Sequence, residues 1–99
     1  AEEVSEEKAL VQRFLHLLAT KPGMAAYWNQ EVTDSISMGA ADILLLSESL
    51  DDDSIERFEE LAARFGTQVK VVSVETREGV QLRDLGKVAA ILRYELVHG

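Results

Sequence analysis

Met38-Gly39-Ala40-Ala41-Asp42-Ile43-Leu44-Leu45-Leu46-Ser47 is the stretch on which the fold turns. Gly39 suits the left-handed residue that ends a helix, so Met38-Gly39 reads as a helix terminus. Ile43 to Leu46 then runs four apolar residues without a break, the pattern of a strand covered on both faces in the middle of a helix-flanked sheet. The same junction recurs at Phe65-Gly66, before Gln68 to Val74, and at Leu85-Gly86, before Val88 to Leu96. Strands are therefore expected at Val69 to Val74 and, longer, at Val88 to Val97, with a short fourth at Met24 to Trp28 near an edge. Helix starts are marked by Ser5, Asn29, Asp53 or Ser54, and Thr76, small polar residues ahead of first turns rich in acid. These signals predict helices over 6–20, 30–38, 55–65 and 77–85. Helices on both faces of a small mixed sheet make a three-layer α/β/α sandwich.

The chain has 99 residues, room for one domain, spanning 1–99. So short a domain has little interior to give up to a deep substrate cavity. Eighteen acidic against ten basic residues leave a charge of −8, the wrong sign for gripping phosphate backbones or anionic membranes. Without cysteine there is no disulfide, zinc-thiolate site or thiol nucleophile, and a reducing compartment is permitted. No apolar run approaches the roughly 20 residues of a membrane span, and no signal-peptide pattern opens the chain. A cytoplasmic protein is the expectation. The start at Ala1, without Met, suggests a domain excised from a longer protein.

Sites for chemistry are few. Asp51-Asp52-Asp53 has the oxygens for a divalent cation, but three consecutive acids point in different directions and already suit the start of a helix. Asp42 lies at the amino end of its strand, the wrong end for a phosphoacceptor in an open α/β sheet. His16 is on the polar side of the first helix and His98 is in the terminal tail, with no partner near either by local spacing. Neither glycine-rich phosphate motif occurs.

Candidates for partner binding are better founded. In the first helix Leu10, Val11, Phe14, Leu15, Leu17 and Leu18 span an arc of roughly 160°. Leu15 and Leu17 stand at its edges, so an arc this wide can serve the core on one side and a partner on the other. Trp28 is the one tryptophan. It either completes the core by lying over the neighbouring helix, which is the expected arrangement, or anchors an interface.

Several stretches together resemble the C-terminal domain of archaeal and eukaryotic class 1 peptide chain release factors, a domain shared by the ribosome-rescue factor Pelota. They are Gly23-Met24-Ala25-Ala26-Tyr27, Met38 to Glu48, Glu78-Gly79-Val80-Gln81-Leu82, and Leu85-Gly86-Lys87-Val88-Ala89-Ala90-Ile91-Leu92-Arg93-Tyr94. The resemblance implies a fold of the kink-turn-binding ribosomal-protein type and no catalysis or cofactor in this part. It implies docking on the translational GTPase of elongation-factor type that delivers the factor, on the recycling ATPase, and through the whole factor on the ribosome. Leu15, Leu17 and Trp28 are the residues expected at such contacts. RNA binding is the competing reading of this fold, with Lys70, Arg77, Arg83, Lys87 and Arg93 as its only loosely grouped cations. Trp28 and Lys87 depart from the pattern the resemblance implies, which usually has Gly at both places. The mini-domain that many release factors carry after the second strand is reduced here to Glu48 to Asp53, as in Pelota. Met38 to Glu48 leans toward a release factor and Leu85-Gly86 toward Pelota; the release factor is the expectation.

Overall fold

Ile43 to Leu46 do form the centre of the molecule. In the computed structural model, which describes residues 2–96, they lie within β2 (Ala41–Ser47), flanked by β4 (Val88–Leu92) on one side and β3 (Gln68–Val72) on the other. β1 (Ala25–Ala26) pairs with the far side of β4, giving the order β1-β4-β2-β3. The β2–β3 pairing is parallel and the β2–β4 and β1–β4 pairings are antiparallel, so the sheet is mixed.

Side chains alternate along β2 into two cores. Leu44 and Leu46 point toward α2 (Asn29–Ser37) and α3 (Asp52–Phe65), where they meet Val32, Ile36, Phe58 and Ala62. Ile43 and Leu45 point toward α1 (Glu2–Thr20) and α4 (Arg77–Leu85), where they meet Val11, Phe14 and Leu82. The sandwich has its three layers. One irregularity serves it: the register jumps between Ala41 and Ile43. The extra residue is Asp42, and the bulge turns Ala41 into the same core as Leu44 while Asp42 stays half-buried rather than enclosed.

The glycine junctions behave as expected. Gly39 and Gly66 follow helices with φ of 73° and 70°. At the third junction two successive residues have positive φ, Gly86 at 126° and Lys87 at 73°. Lys87 thus adopts a left-handed conformation that glycine favours, and its carbonyl accepts from the Ser47 amide at 2.8 Å, joining the start of β4 to the end of β2. Gly79 is fixed by close approach instead, since a Cβ there would overlap the Ser73 carbonyl oxygen.

Several boundaries differ from the sequence reading. α1 begins before Ser5, which lies inside the helix. The cap of α2 is Trp28, which supplies no side-chain bond, and Asn29 is the first helical residue. α3 is capped by Asp51, whose carboxylate accepts from the Ser54 hydroxyl at 2.8 Å and the Ser54 amide at 3.0 Å. Thr76 caps α4 as expected, accepting from the Gly79 amide. β3 ends at Val72 and β4 at Leu92, both shorter than expected. β4 stops where Arg93 turns to bind carbonyls, its amide donating to Ala40 and its guanidinium to Ala41 and Gly66. Val97 and His98 lie outside the described residues.

Lys87→Gly is expected to raise stability. A side chain in the left-handed region costs roughly 1–2 kcal/mol and glycine's extra freedom in the unfolded chain returns part of it, leaving a gain of about 0.5 kcal/mol in urea denaturation. A second outcome concerns acid. The Ser54 hydroxyl, and then the Ser54 amide, hold the Asp51 carboxyl below its ordinary value. A folded-state value below the unfolded one stabilises at pH above the ordinary carboxylate range and fades as pH falls through the lowered value. Asp51→Ala should therefore flatten the acid side of a stability-against-pH curve.

Candidate partner-binding surface

The polar edge of α1 is tied down along the end of β3 and the start of α4. The Ser73 amide donates to the Glu7 carboxylate at 2.7 Å, Gln12 donates to Glu78 at 3.0 Å, and Lys70 pairs with Glu6 at 3.2 Å. The Glu78 carboxyl is held below its ordinary value by its own backbone amide and then by Gln12. These ties fix α4 beside α1. Further along, the two helices part, and Leu15, Gln81, Asp84 and Leu85 line a shallow hollow of about 290 Å³. Leu15 and Leu85 are half-buried, each with one side against the core and the other toward the hollow.

Leu17 is also half-buried against that core, but it stands at the other edge of the α1 stripe from Leu15 and does not line the hollow. Trp28 belongs to neither place. It is 64% exposed at the head of α2, its ring centre 5.7 Å from that of Tyr27 with the planes tilted by 37°. The expectation that its ring completes the core is overturned. Val32 and Ile36 fill the space under α2, and β1 is so short that the chain at Trp28 has already left the sheet. The α4 residues that line the hollow were missed in the sequence. Their signal is the spacing Gln81, Asp84, Leu85, which puts them on one face of a helix.

His16 is exposed, as expected from its side of α1. Asp51, Asp52 and Asp53 are spent on the α3 terminus, and among the described residues no group of three acids or histidines is placed to hold a metal ion. None of the described helices is long and apolar enough to cross a membrane. The cations proposed for RNA are dispersed. Lys87 and Arg93 precede and follow β4, at opposite ends of the sheet, Arg77 opens α4 beside Glu78, Arg83 pairs with Asp84, and Lys70 with Glu6.

The family described as eRF1 domain 3 matches residues 4–96. The chain belongs to the eRF1 domain 3 family. It is 33% identical to peptide chain release factor subunit 1 of Methanobrevibacter smithii, over 95% of this chain and 34% of the relative. Against the pelota homolog of Methanothermobacter thermautotrophicus the identity is 35%, over 96% of the chain and 29% of the relative. The chain thus spans about a third of the curated relatives it matches. Among solved structures it resembles the C-terminal domain of peptide chain release factor from Methanosarcina mazei, with a TM-score of 0.87, 26% identity, and coverage of 93% of this chain and 84% of that one. A structure of ribosome-bound archaeal Pelota and ABCE1 gives 0.80 at 30% identity, over 97% of this chain and 28% of that one. Saccharomyces cerevisiae Dom34, described as a translation termination-like factor interacting with Hbs1, gives 0.83 at 27% identity, over 95% and 28%. Members of the eRF1 domain 3 family thus share this sheet and its helices, and the family assignment expected from the sequence holds.

Because its ring stands in solvent, Trp28→Ala should change the thermal midpoint little, by an amount worth at most about 1 kcal/mol. A core tryptophan would cost about 3–5 kcal/mol.

Proposed function

We propose that this chain is the C-terminal docking domain of a translation factor of the release-factor and Pelota type, and that it contacts its partners through the α1–α4 face. The observation that carries this reading is the hollow at Leu15 and Leu85. There an apolar arc too wide for the core is left partly open beside α4. Leu17, on the other edge of α1, would extend the contact around the helix. The partners implied by the resemblance are an elongation-factor-type GTPase and the recycling ATPase. Support comes from the relatives, since Dom34 interacts with Hbs1 and archaeal Pelota is seen on the ribosome with ABCE1. A protein-binding rather than a catalytic role is what the resemblance implies for this part of such factors. The acidic surface and the dispersal of its cations favour protein over RNA as the direct contact. Action in the cytoplasm is the corresponding proposal.

One observation favours Pelota over a release factor as the parent. The alignment with the Methanobrevibacter release factor runs over 139 residues, more than the 99 of this chain, whereas that with the Methanothermobacter pelota homolog runs over 102. The release factor thus carries a long insertion in the matched span. In this chain only four residues separate β2 from α3.

Binding of the purified domain to an archaeal elongation-factor-type GTPase, followed by calorimetry, tests the docking reading. Leu15→Asp should weaken it about tenfold or more while the circular dichroism spectrum stays that of the folded domain, since the substitution puts a charge against an apolar contact. Unchanged affinity in the folded variant would remove the α1–α4 face from the contact.

A further inference from the structure

The opposite face of the molecule carries a second and more enclosed recess. Between α2 and α3 lies a groove of about 250 Å³, lined by Asn29 and Thr33 from α2 and by Arg57, Phe58, Glu60, Leu61 and Arg64 from α3. Phe58 is 5% exposed and Leu61 half-buried, so the floor is apolar and rests on the core. The volume falls below the roughly 300–1,000 Å³ of small-molecule sites, and suits one large apolar side chain.

The rim decides which chain would bring that side chain. Arg57, Leu61 and Arg64 follow one another at four and three residues, a single stripe along α3 in which two guanidiniums bracket a leucine. They stand roughly 10 Å apart along the axis at 1.5 Å per residue. Both are exposed. Arg57 donates only to the neutral Ser54 hydroxyl, at 3.2 Å, and Arg64 has no ion-pair partner among the described residues. Glu60 is the one carboxylate in the lining, so the groove is cationic in a chain of net charge −8. Two exposed guanidiniums, neither in an ion pair among the described residues, stand beside an apolar floor and complement a peptide in which carboxylates flank an apolar residue. Asn29 and Thr33 on the facing wall offer side-chain donors and acceptors to a peptide backbone.

We propose that the α2–α3 groove is a docking site for a short acidic–apolar peptide segment of a partner protein, separate from the α1–α4 face. Trp28 immediately precedes Asn29, a lining residue, at the head of α2, and its ring is exposed. Two arginines are too few to hold a nucleic acid against the charge of the whole domain.

The probe is an acetylated, amidated hexapeptide, Asp-Glu-Leu-Phe-Glu-Asp, set against a counterpart with its four acids replaced by Lys. Readouts are the fluorescence of Trp28, the only tryptophan, and the amide shifts of Thr33, Leu61 and Arg64. The acidic peptide should move these signals saturably and more weakly as salt rises, and Arg64→Glu should lower its affinity about tenfold, with Arg64→Lys in between. Any of four results would overturn the proposal: no shift at millimolar peptide, equal binding of the two peptides, undiminished binding by folded Arg64→Glu, or tighter saturation of the same residues by a single-stranded oligonucleotide.

Discussion

Four consecutive side chains in β2 organise this domain. Leu44 and Leu46 are buried on one side of the sheet and Ile43 and Leu45 on the other, so neither helical layer can be removed without leaving apolar strand surface in water. Each residue buried this way contributes on the order of 1.5–3 kcal/mol relative to exposure. Everything else follows from covering that strand twice. α3 leads back so that β3 can pair parallel to it, α4 crosses over it, and β4 pairs with its other edge. The bulge at Asp42 sets the parity of the start of β2, turning Ala41 into a core and sparing a carboxylate from burial.

A doubly covered sheet has a functional corollary. Its inner strands β2 and β4 are hidden, so on the two faces of the sheet recognition falls to the helices. The two recesses lie where neighbouring helices diverge, α1 from α4 and α2 from α3, on opposite sides of the sheet. They differ in chemistry. The first offers leucine beside a polar rim, and the second offers arginine around an apolar floor. Two unlike faces permit two unlike contacts.

Much of this was legible in the chain itself. The unbroken run at Ile43 to Leu46 announces the central strand, and three Gly junctions announce the helix ends, because both rest on local geometry that few other sequences satisfy. The helix starts were less legible. Several small polar residues stood near each one, and the choice among Asp51, Asp53 and Ser54 is made by a three-residue reach of one carboxylate, which composition does not reveal. The length of β4 was overread because Glu95 to Val97 continue an extended pattern, whereas Arg93 ends the strand by taking carbonyls from two neighbouring elements. Trp28 was expected to complete the core, yet it is 64% exposed, and Phe65 at the end of α3 is 38% exposed. Both sit at helix termini, where the periodic stripe has already rotated past the sheet. Leu15 could be singled out from its angle on α1, but not the hollow it lines, because Leu85 comes from a helix some seventy residues later.

The order β1-β4-β2-β3 places the last strand of the sequence between the first two. A ribosome making this chain releases β1, β2 and β3 before the strand that joins β1 to the rest exists. Until Val88 to Leu92 emerge, one edge of the most apolar strand has no hydrogen-bonding neighbour. Such an unpaired edge is a template for the wrong chain. The domain therefore closes in a single late step, when five residues slide between two waiting strands, and a chain interrupted anywhere before Val88 is an open sheet rather than a smaller version of the fold.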